Sequence, residues 1–548
     1  FNDQTRLVFT GALTAVRQRS FANDSLVRTA LPFTPRLTEG REEGFYVIGP
    51  YAAQVEVEGN PWLAYSRIEM AAERSMVGLA HELRAGTELR REWSSGPGRQ
   101  FDVQFPPETQ FNGVNGYSRP RTFDDIPPLN TSGWYVDDRI TTTFGRDALL
   151  QIQMGLRLDL LHDGSSWFSG ARDAVLQPRL NVEFAPIPSL RLRGGWGRTA
   201  KTPPLGLLFP APQYHDVVNV NYFANDPVER LAVLTTFIRD PTNDDLGFAR
   251  ATKAEVGLEF GVAGAVVSLV AFRDRIDGGV GIHPEPTFLL RERFALTDSV
   301  LGNGIAPVII EPATGADTVP ILIRRPDNII TQTNRGFELT ASLPEIPAIR
   351  TRLFVTGSWV ETQQHSEALY FGAADAFSSF QLMGTDTRTP YWEGVTEVGE
   401  RALVTYRLIH HQPHAGLIFT VIVQHNIHDE LRDIAGTDTL AYLGYLTRDG
   451  QLVPVPEERR GDAAFVDLRL PRGGLLVDRL AAPGDWLMSV QVSKTLPLDG
   501  RLNFWAFNLL DRRGIRGGVL GVQSRVYPAV RVGLEVTLPV RALAVWNE

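Results

Sequence analysis

The stretch Gly195-Trp-Gly-Arg-Thr-Ala-Lys-Thr202 places a lysine and a threonine at the end of a glycine-rich run. It is one residue short of the phosphate-binding pattern G-x-x-x-x-G-K-[ST], because Ala200 stands where the second glycine belongs. Such a loop joins a buried strand to a helix whose free N–H groups hold the phosphates. The residues that follow deny it the helix, since Pro203, Pro204, Pro210 and Pro212 remove donors and clash with a helix interior. Before it, Leu190, Leu192 and Trp196 alternate with Arg191, Arg193 and Gly195. A parallel strand covered on both faces reads as nearly continuous aliphatic instead. The nucleotide reading fails on this context, and the alternation becomes the feature to explain.

Other chemistry-bearing groups are weighed in the same way. His410, His411 and His414 in HHQPH, with His425 and His428 beyond, offer imidazoles to a metal. HHQPH reads as a short turn, and positions 411 and 425 fall far apart along a hairpin, so a structural turn is expected. Asp240, Asn243, Asp244 and Asp245 in DPTNDDLG resemble a calcium loop, but the position six residues after Gly247 is Lys253, not the required glutamate. Asp124 and Asp125 lie in a proline-rich, solvated loop. The chain has no cysteine and no G-x-S-x-G, so thiol and serine-elbow chemistry are absent. No catalytic residue, metal or cofactor is expected, and the chain is not read as an enzyme.

Across the whole chain, 548 residues with 43% hydrophobic and 21% charged residues are globular in composition, while 50 Gly and 36 Pro supply many turns. A net charge of -9 leaves no electrostatic footprint for nucleic acid. No run approaches the roughly 18 apolar residues of a membrane helix. FNDQTRLVF has neither a basic n-region nor an apolar h-region and already reads as a strand, so a preceding segment is expected.

The strands share one pattern. In LLQIQMGLRLDLL, Leu150, Ile152, Met154, Leu156, Leu158 and Leu160 oppose Gln151, Gln153, Gly155, Arg157 and Asp159. That is about ten residues with one oily and one wet face, the length of a tilted membrane strand. PRLNVEF sets Leu180, Val182 and Phe184 against Arg179, Asn181 and Glu183, then turns through PIP into the arginine-bearing strand. AEVGLEF and VVSLVAF pair across GVAG, and GFELTASL and TRLFVTGSW across PEIPAI. The count is roughly 16 to 18 strands, with brief turns alternating with long connections, notably 199–251 and 276–333. Aromatics near strand ends, Trp134, Tyr135, Trp359, Tyr391, Trp392 and Trp505, read as interfacial girdles. The fold class is all-β, an antiparallel transmembrane β-barrel spanning 1–548; a soluble sandwich, which also alternates, stays open at this point.

Several stretches resemble the β-barrel of TonB-dependent outer-membrane receptors. GWGRTAKTPPLGLLF is similar to that family's strand followed by a Pro-Leu loop entry. In NDDLGFARATKAEVGLEF, Asn243, Leu246, Glu255, Val256 and Gly257 match its Asn-Pro-x-Leu to Glu-Val-Gly run, without its prolines. NRGFELTASL resembles its Asn-x-Gly-x-Glu strand, WYVDDRI its Tyr-x-x-Asp-Lys strand with Arg139 for the lysine, and RLNFWAFNLLDRR its late strand through Asn508, Leu509 and Asp511. RPRTFDDIPPL, YRLIHHQPHAGLIFTVIVQ and YLTRDGQLVPV are similar to receptors that carry an N-terminal carboxypeptidase-regulatory-like domain.

The resemblance implies a 22-strand family barrel, of which this chain holds most but not all, with an N-terminal plug lying outside the chain. The closing VRALAVWNE, with Trp546 near its end, departs from the family's terminal aromatic. The resemblance also implies active, TonB-driven import of a nutrient or siderophore-like ligand across the outer membrane. Partners would be outer-membrane lipid, the receptor's own plug, the TonB complex through the N-terminal region, and a small nutrient ligand. Candidates to face the lumen or plug are Gln151, Gln153, Arg157, Asp159, Arg179, Asn181, Glu183, Arg191, Arg193, Glu255, Glu259 and Glu338. Candidates to meet ligand in the loops are Phe209, Tyr214, Tyr222 and Phe223. The alternatives are a passive outer-membrane porin and a soluble or surface-anchored all-β binding protein.

Overall fold

The computed structural model describes residues 5–28, 32–107, 119–145, 147–162, 170–297, 302, 304–372, 388–433, 438–470, 480–482, 484–497, 500–512, 515–517, 523–525 and 529–538. The chain end carrying Trp546 lies outside them. Eighteen hydrogen-bonded segments make one antiparallel sheet. Two of these prolong a neighbour in unbroken register, Gln18–Arg28 after Thr5–Ala15 and Leu480–Ala482 before Asp485–Thr495, leaving sixteen strands. In chain order they are β1 (Thr5–Ala15 with Gln18–Arg28), β2 (Gly49–Met76), β3 (Leu79–Phe101), β4 (Leu129–Phe144), β5 (Ala148–His162), β6 (Ala171–Ile187), β7 (Leu190–Lys201) and β8 (Ala249–Val262). There follow β9 (Ala265–Leu296), β10 (Ile309–Ser342), β11 (Thr351–Ser366), β12 (Thr396–Gln412), β13 (Leu417–Asp433), β14 (Leu480–Ala482 with Asp485–Thr495), β15 (Arg501–Phe507) and β16 (Arg531–Thr537). Each strand pairs with the next, and among the described residues no pairing joins β1 to β16.

Turn chemistry alternates along this wall. At one rim Val77-Gly78 and Ala263-Gly264 turn with both residues at positive φ, the two-residue reversal that matches strand twist. The opposite rim carries the longest connections, 102–128, 202–248, 367–395 and 434–479. GWGRTAKT is the upper end of β7, followed only by a four-residue helix, Leu205–Leu208.

Register converts the alternation into two faces. Leu192, Leu258, Leu269 and Leu339 are successive neighbours across β7 to β10 and stand 41%, 42%, 45% and 36% exposed. Contiguous exposed apolar rows of this kind mark a face that meets something other than water. A cavity of 540 Å³ on the other face touches β5 to β10, from Arg157 to Glu338, so the polar face is the concave one. The girdle expectation needs correcting. Trp134 is 44% exposed on the apolar face and Trp359 stacks there on Phe337, but Tyr391 and Trp392 are buried above the wall. Tyr135 and Trp505 take the polar face: Tyr135 bonds Glu69 at 2.6 Å, and Trp505 stands opposite Gln491.

The buried cores sit in a cap on the long-connection rim. Val217, Leu289, Val319, Ile321, Phe371, Tyr391 and Leu446 form one, Leu129, Leu161, Val175, Leu208, Leu246 and Phe248 another, and Trp392, Tyr442, Val455 and Leu468 a third. Residues 276–333, read above as a long loop, are largely the paired upper halves of β9 and β10, which stay in contact to Leu296↔Ile309. Within 199–251, Gln213–Tyr222 and Leu231–Arg239 form a hairpin that takes Gly40–Glu43 as a third strand.

Asp317 fastens the β9–β10 extension to the rest of the cap. It accepts from Arg291 at 2.5 Å, Arg293 at 2.6 Å and Arg448 at 2.6 Å. Burial alone would raise its carboxyl pKa, but the Arg291 and Arg293 guanidinium groups hold it well below the usual carboxylate range. A depressed folded pKa gives stability that is complete above the unfolded value of about 3.9 and is lost only as pH falls through the lower folded value. Asp317→Asn is expected to cost the cap about 1–2 kcal/mol at neutral pH, read as faster proteolysis at 447–451. The native clamp should survive acidification to about pH 5.

Candidate functional site

All twelve polar candidates lie on the concave face. The ladders align Arg157 with Gln177, Asn181 with Gly195, Glu255 with Phe272 and Glu338 with Val270, so one parity runs from β5 to β10. Strand glycines make room for the long side chains: a Cβ on Gly257 would lie 2.5 Å from Arg193 Nε, and one on Gly155 2.6 Å from Arg179 Nε. Arg157 donates to Glu88 at 2.7 Å and to Asp159 at 2.8 Å, and Gln153 donates to Asp137 at 3.1 Å. Arg191 joins Glu183 at 3.0 Å and Glu259 at 3.3 Å. Arg157, Arg179, Asn181, Glu255 and Glu338 line the 540 Å³ cavity with Gln177 and Lys253. Mutual neutralisation of this kind suits a wetted wall or a polar protein surface.

A second cavity, of 710 Å³, lies in the cap and was not foreseen as a site. Arg99 comes from the top of β3, Arg119, Arg121 and Phe123 from the connection after it, Tyr214 from the cap hairpin and Arg324 from β10. Arg119 is neutralised: its Nη2 donates to both Asp216 oxygens at 2.9 and 2.8 Å, and its guanidinium lies 5.1 Å from the Tyr214 ring. Arg121 donates to the Phe209 carbonyl and is 3.5 Å from Asp125. Among the described residues Arg99 and Arg324 have no carboxylate partner, and burial pushes the Arg99 pKa down from the ordinary arginine value. RPRTF is visible in the sequence, but nothing in its spacing announces Arg99 or Arg324 beside it.

The four loop aromatics do not converge. Tyr214 lines the cap cavity, while Phe209 packs against the Leu208 cluster. Tyr222 ends the first cap strand, and Phe223 meets the Tyr46 ring at 5.3 Å. The histidines are likewise dispersed. His410 Nδ1 is 2.9 Å from the Ile349 carbonyl, His425 stacks on Trp486 at 3.9 Å, and His428 lies 3.4 Å from Glu430. In the acidic loop Asp240 caps Thr242, and Asn243 reaches the Pro326 carbonyl at 3.0 Å. Asp124 caps the Gly96 amide at 2.9 Å.

The profile of the TonB dependent receptor-like β-barrel family matches residues 2–451. The chain belongs to this family. Among solved structures, this TonB-dependent receptor barrel is similar to the siderophore receptor PirA from Acinetobacter baumannii (12% identity, TM-score 0.47, covering 90% of this chain and 61% of that one). It is similar also to the ferric enterobactin receptor PfeA from Pseudomonas aeruginosa (15%, 0.46, 90% and 60%). A third is BauA, the ferric preacinetobactin receptor of Acinetobacter baumannii (11%, 0.45, 98% and 60%). The chain thus spans about three-fifths of the length of these three structures. None of the curated proteins matches it. The apolar and polar faces described above are thus those of a TonB-dependent receptor-like β-barrel chain.

Proposed function

We propose that this chain forms the wall and outer cap of a TonB-dependent importer of the outer membrane, and that the cap captures a small anionic ligand before it enters the lumen. The long-connection rim faces the outside. A plug from the N-terminal region fills the concave face, where Arg157, Arg179, Arg191, Arg193, Glu183, Glu255, Glu259 and Glu338 offer it ion-pair partners. The TonB complex acts on that plug, and the barrel supplies rigid walls.

One observation carries the ligand reading: Arg99, Arg121 and Arg324 converge with Phe123 and Tyr214 on a 710 Å³ cavity of ligand size. Two uncompensated guanidinium groups in a partly desolvated recess attract negative charge, and the planar forks suit carboxylate, phosphate or catecholate oxygens. The test is uptake by a deletion strain supplied with anionic iron chelates and, in parallel, neutral and cationic nutrients. An anionic substrate lost on deletion of either the gene or TonB is expected. Arg99→Ala and Arg324→Ala should each weaken its binding about tenfold. Preference for a neutral or cationic ligand would sink the cavity assignment, and uptake that persists without TonB would sink active import.

A further inference from the structure

We propose that Arg273, Arg275 and Arg335 form an outward-facing site that holds the phosphate of a phosphorylated glycolipid in the outer leaflet. The inference rests on the membrane-wall reading above and concerns the face opposite the lumen. Three rows of ladder neighbours fix the level of the site. Val256, Ala271, Phe337 and Trp359 form an apolar row across β8 to β11, with Phe337 and Trp359 stacked at 5.6 Å. The next row on the same face is Ala254, Arg273, Arg335 and Glu361, and the one above it is Thr252, Arg275, Thr333 and Gln363. The outward surface therefore changes from oil to aromatic to guanidinium within two rows, about 13 Å of strand. Lipid phosphates lie at such a boundary, beside interfacial aromatics.

The arginines are arranged for an anion. Arg273 stands directly opposite Arg335, a like-charge cross-strand pair that is unfavourable by itself. Glu361 neutralises Arg335 through two bonds, at 2.9 and 3.0 Å, and Asp277 accepts from Arg275 at 2.8 Å. Arg273 has no carboxylate partner among the described residues, and its neighbours leave the cluster net positive. The three guanidinium groups border a 480 Å³ recess that also exposes Thr333 and Gln363, neutral partners for sugar hydroxyls. An acyl chain hanging from a phosphate held there would lie along Phe337, Leu339 and Leu269, which are 48%, 36% and 45% exposed.

The experiment uses full-length protein extracted from membranes, stripped of lipid, and returned to phosphatidylcholine nanodiscs containing diphosphorylated lipid A or its dephosphorylated form. Native mass spectrometry reads retention. Diphosphorylated lipid A should be retained about tenfold more strongly than the dephosphorylated form, and the double variant Arg273→Ala with Arg275→Ala should erase that difference. The double lysine variant, which keeps charge without the planar fork, should fall between the two. Equal retention by wild type and double variant, with heat-modifiable mobility intact in both, overturns the inference while sparing the membrane wall. Displacement of the lipid by millimolar inorganic phosphate would assign the site to a soluble anion and also overturn it. Recovery of folded protein in buffer without detergent would instead overturn the membrane reading on which it rests.

Discussion

Leu258→Arg should abolish stable insertion of the protein while the equivalent change two rows above the apolar band does little. Leu258 lies in the middle of the leucine row formed with Leu192, Leu269 and Leu339, and its outward side chain is 42% exposed. On a water-soluble surface this substitution would improve solubility at almost no cost in stability. In a bilayer the same guanidinium sits near the hydrocarbon midplane, where an arginine on a barrel's lipid face costs about 2–4 kcal/mol, falling to about 0–1 near the interface. Thr252→Arg, on the same strand and face but beside Arg275, is the matched control. Urea unfolding in phosphatidylcholine vesicles, followed by heat-modifiable mobility, measures both. Equal stability of the two variants would show that the leucine row does not face lipid.

The leucine row is legible in the sequence, whereas other features of the fold are not. A strand such as Leu150–Leu160 announces its faces, because one parity is all apolar and the other all polar or glycine. The sign of those faces then propagates through the register, so the twelve polar positions fall together on the concave side. Arg501–Phe507 announces nothing: Leu502 and Phe504 face Asn503 and Trp505, both parities carry an aromatic, and Trp505 was placed at the girdle when it stands on the polar face. The cap was hidden for a different reason. Its largest core draws Val217, Leu289, Val319, Phe371, Tyr391 and Leu446 from strand extensions and connections spread over more than two hundred residues. Such burial leaves no period in any local window, so Tyr391 and Trp392 look from their neighbours like interfacial aromatics. The arginine cavity inherits this difficulty, since Arg99 and Arg324 sit on strands that are not sheet neighbours and meet only at the cap.

The cap should therefore fail independently of the wall, and Arg119→Ala should show it. Arg119 and Asp216 have side chains only 3% exposed each, and the pair ties the connection after β3 to the first strand of the cap hairpin. Thr236 donates to Asp216 at 2.8 Å, and Arg119 Nε donates to the Arg36 carbonyl at 3.0 Å, so the pair also binds the second cap strand and the segment before Gly40–Glu43. Removing the guanidinium leaves a buried carboxylate without its counter-charge, at a cost of about 3–5 kcal/mol. Asp216→Ala should cost as much from the other side. Joining Arg119→Met to Asp216→Leu should recover most of the loss, because an apolar pair of similar volume carries no desolvation penalty. The cavity lined by Arg119 and Tyr214 collapses in the single variants, so ligand binding should be lost in both. The wall shares none of these contacts: its strands are held by the ladder from β1 to β16. Limited proteolysis should then cut the cap of Arg119→Ala while heat-modifiable mobility of the barrel persists. Simultaneous loss of both signals would mean that cap and wall form one cooperative unit, and an uncut cap would mean that the buried pair is dispensable.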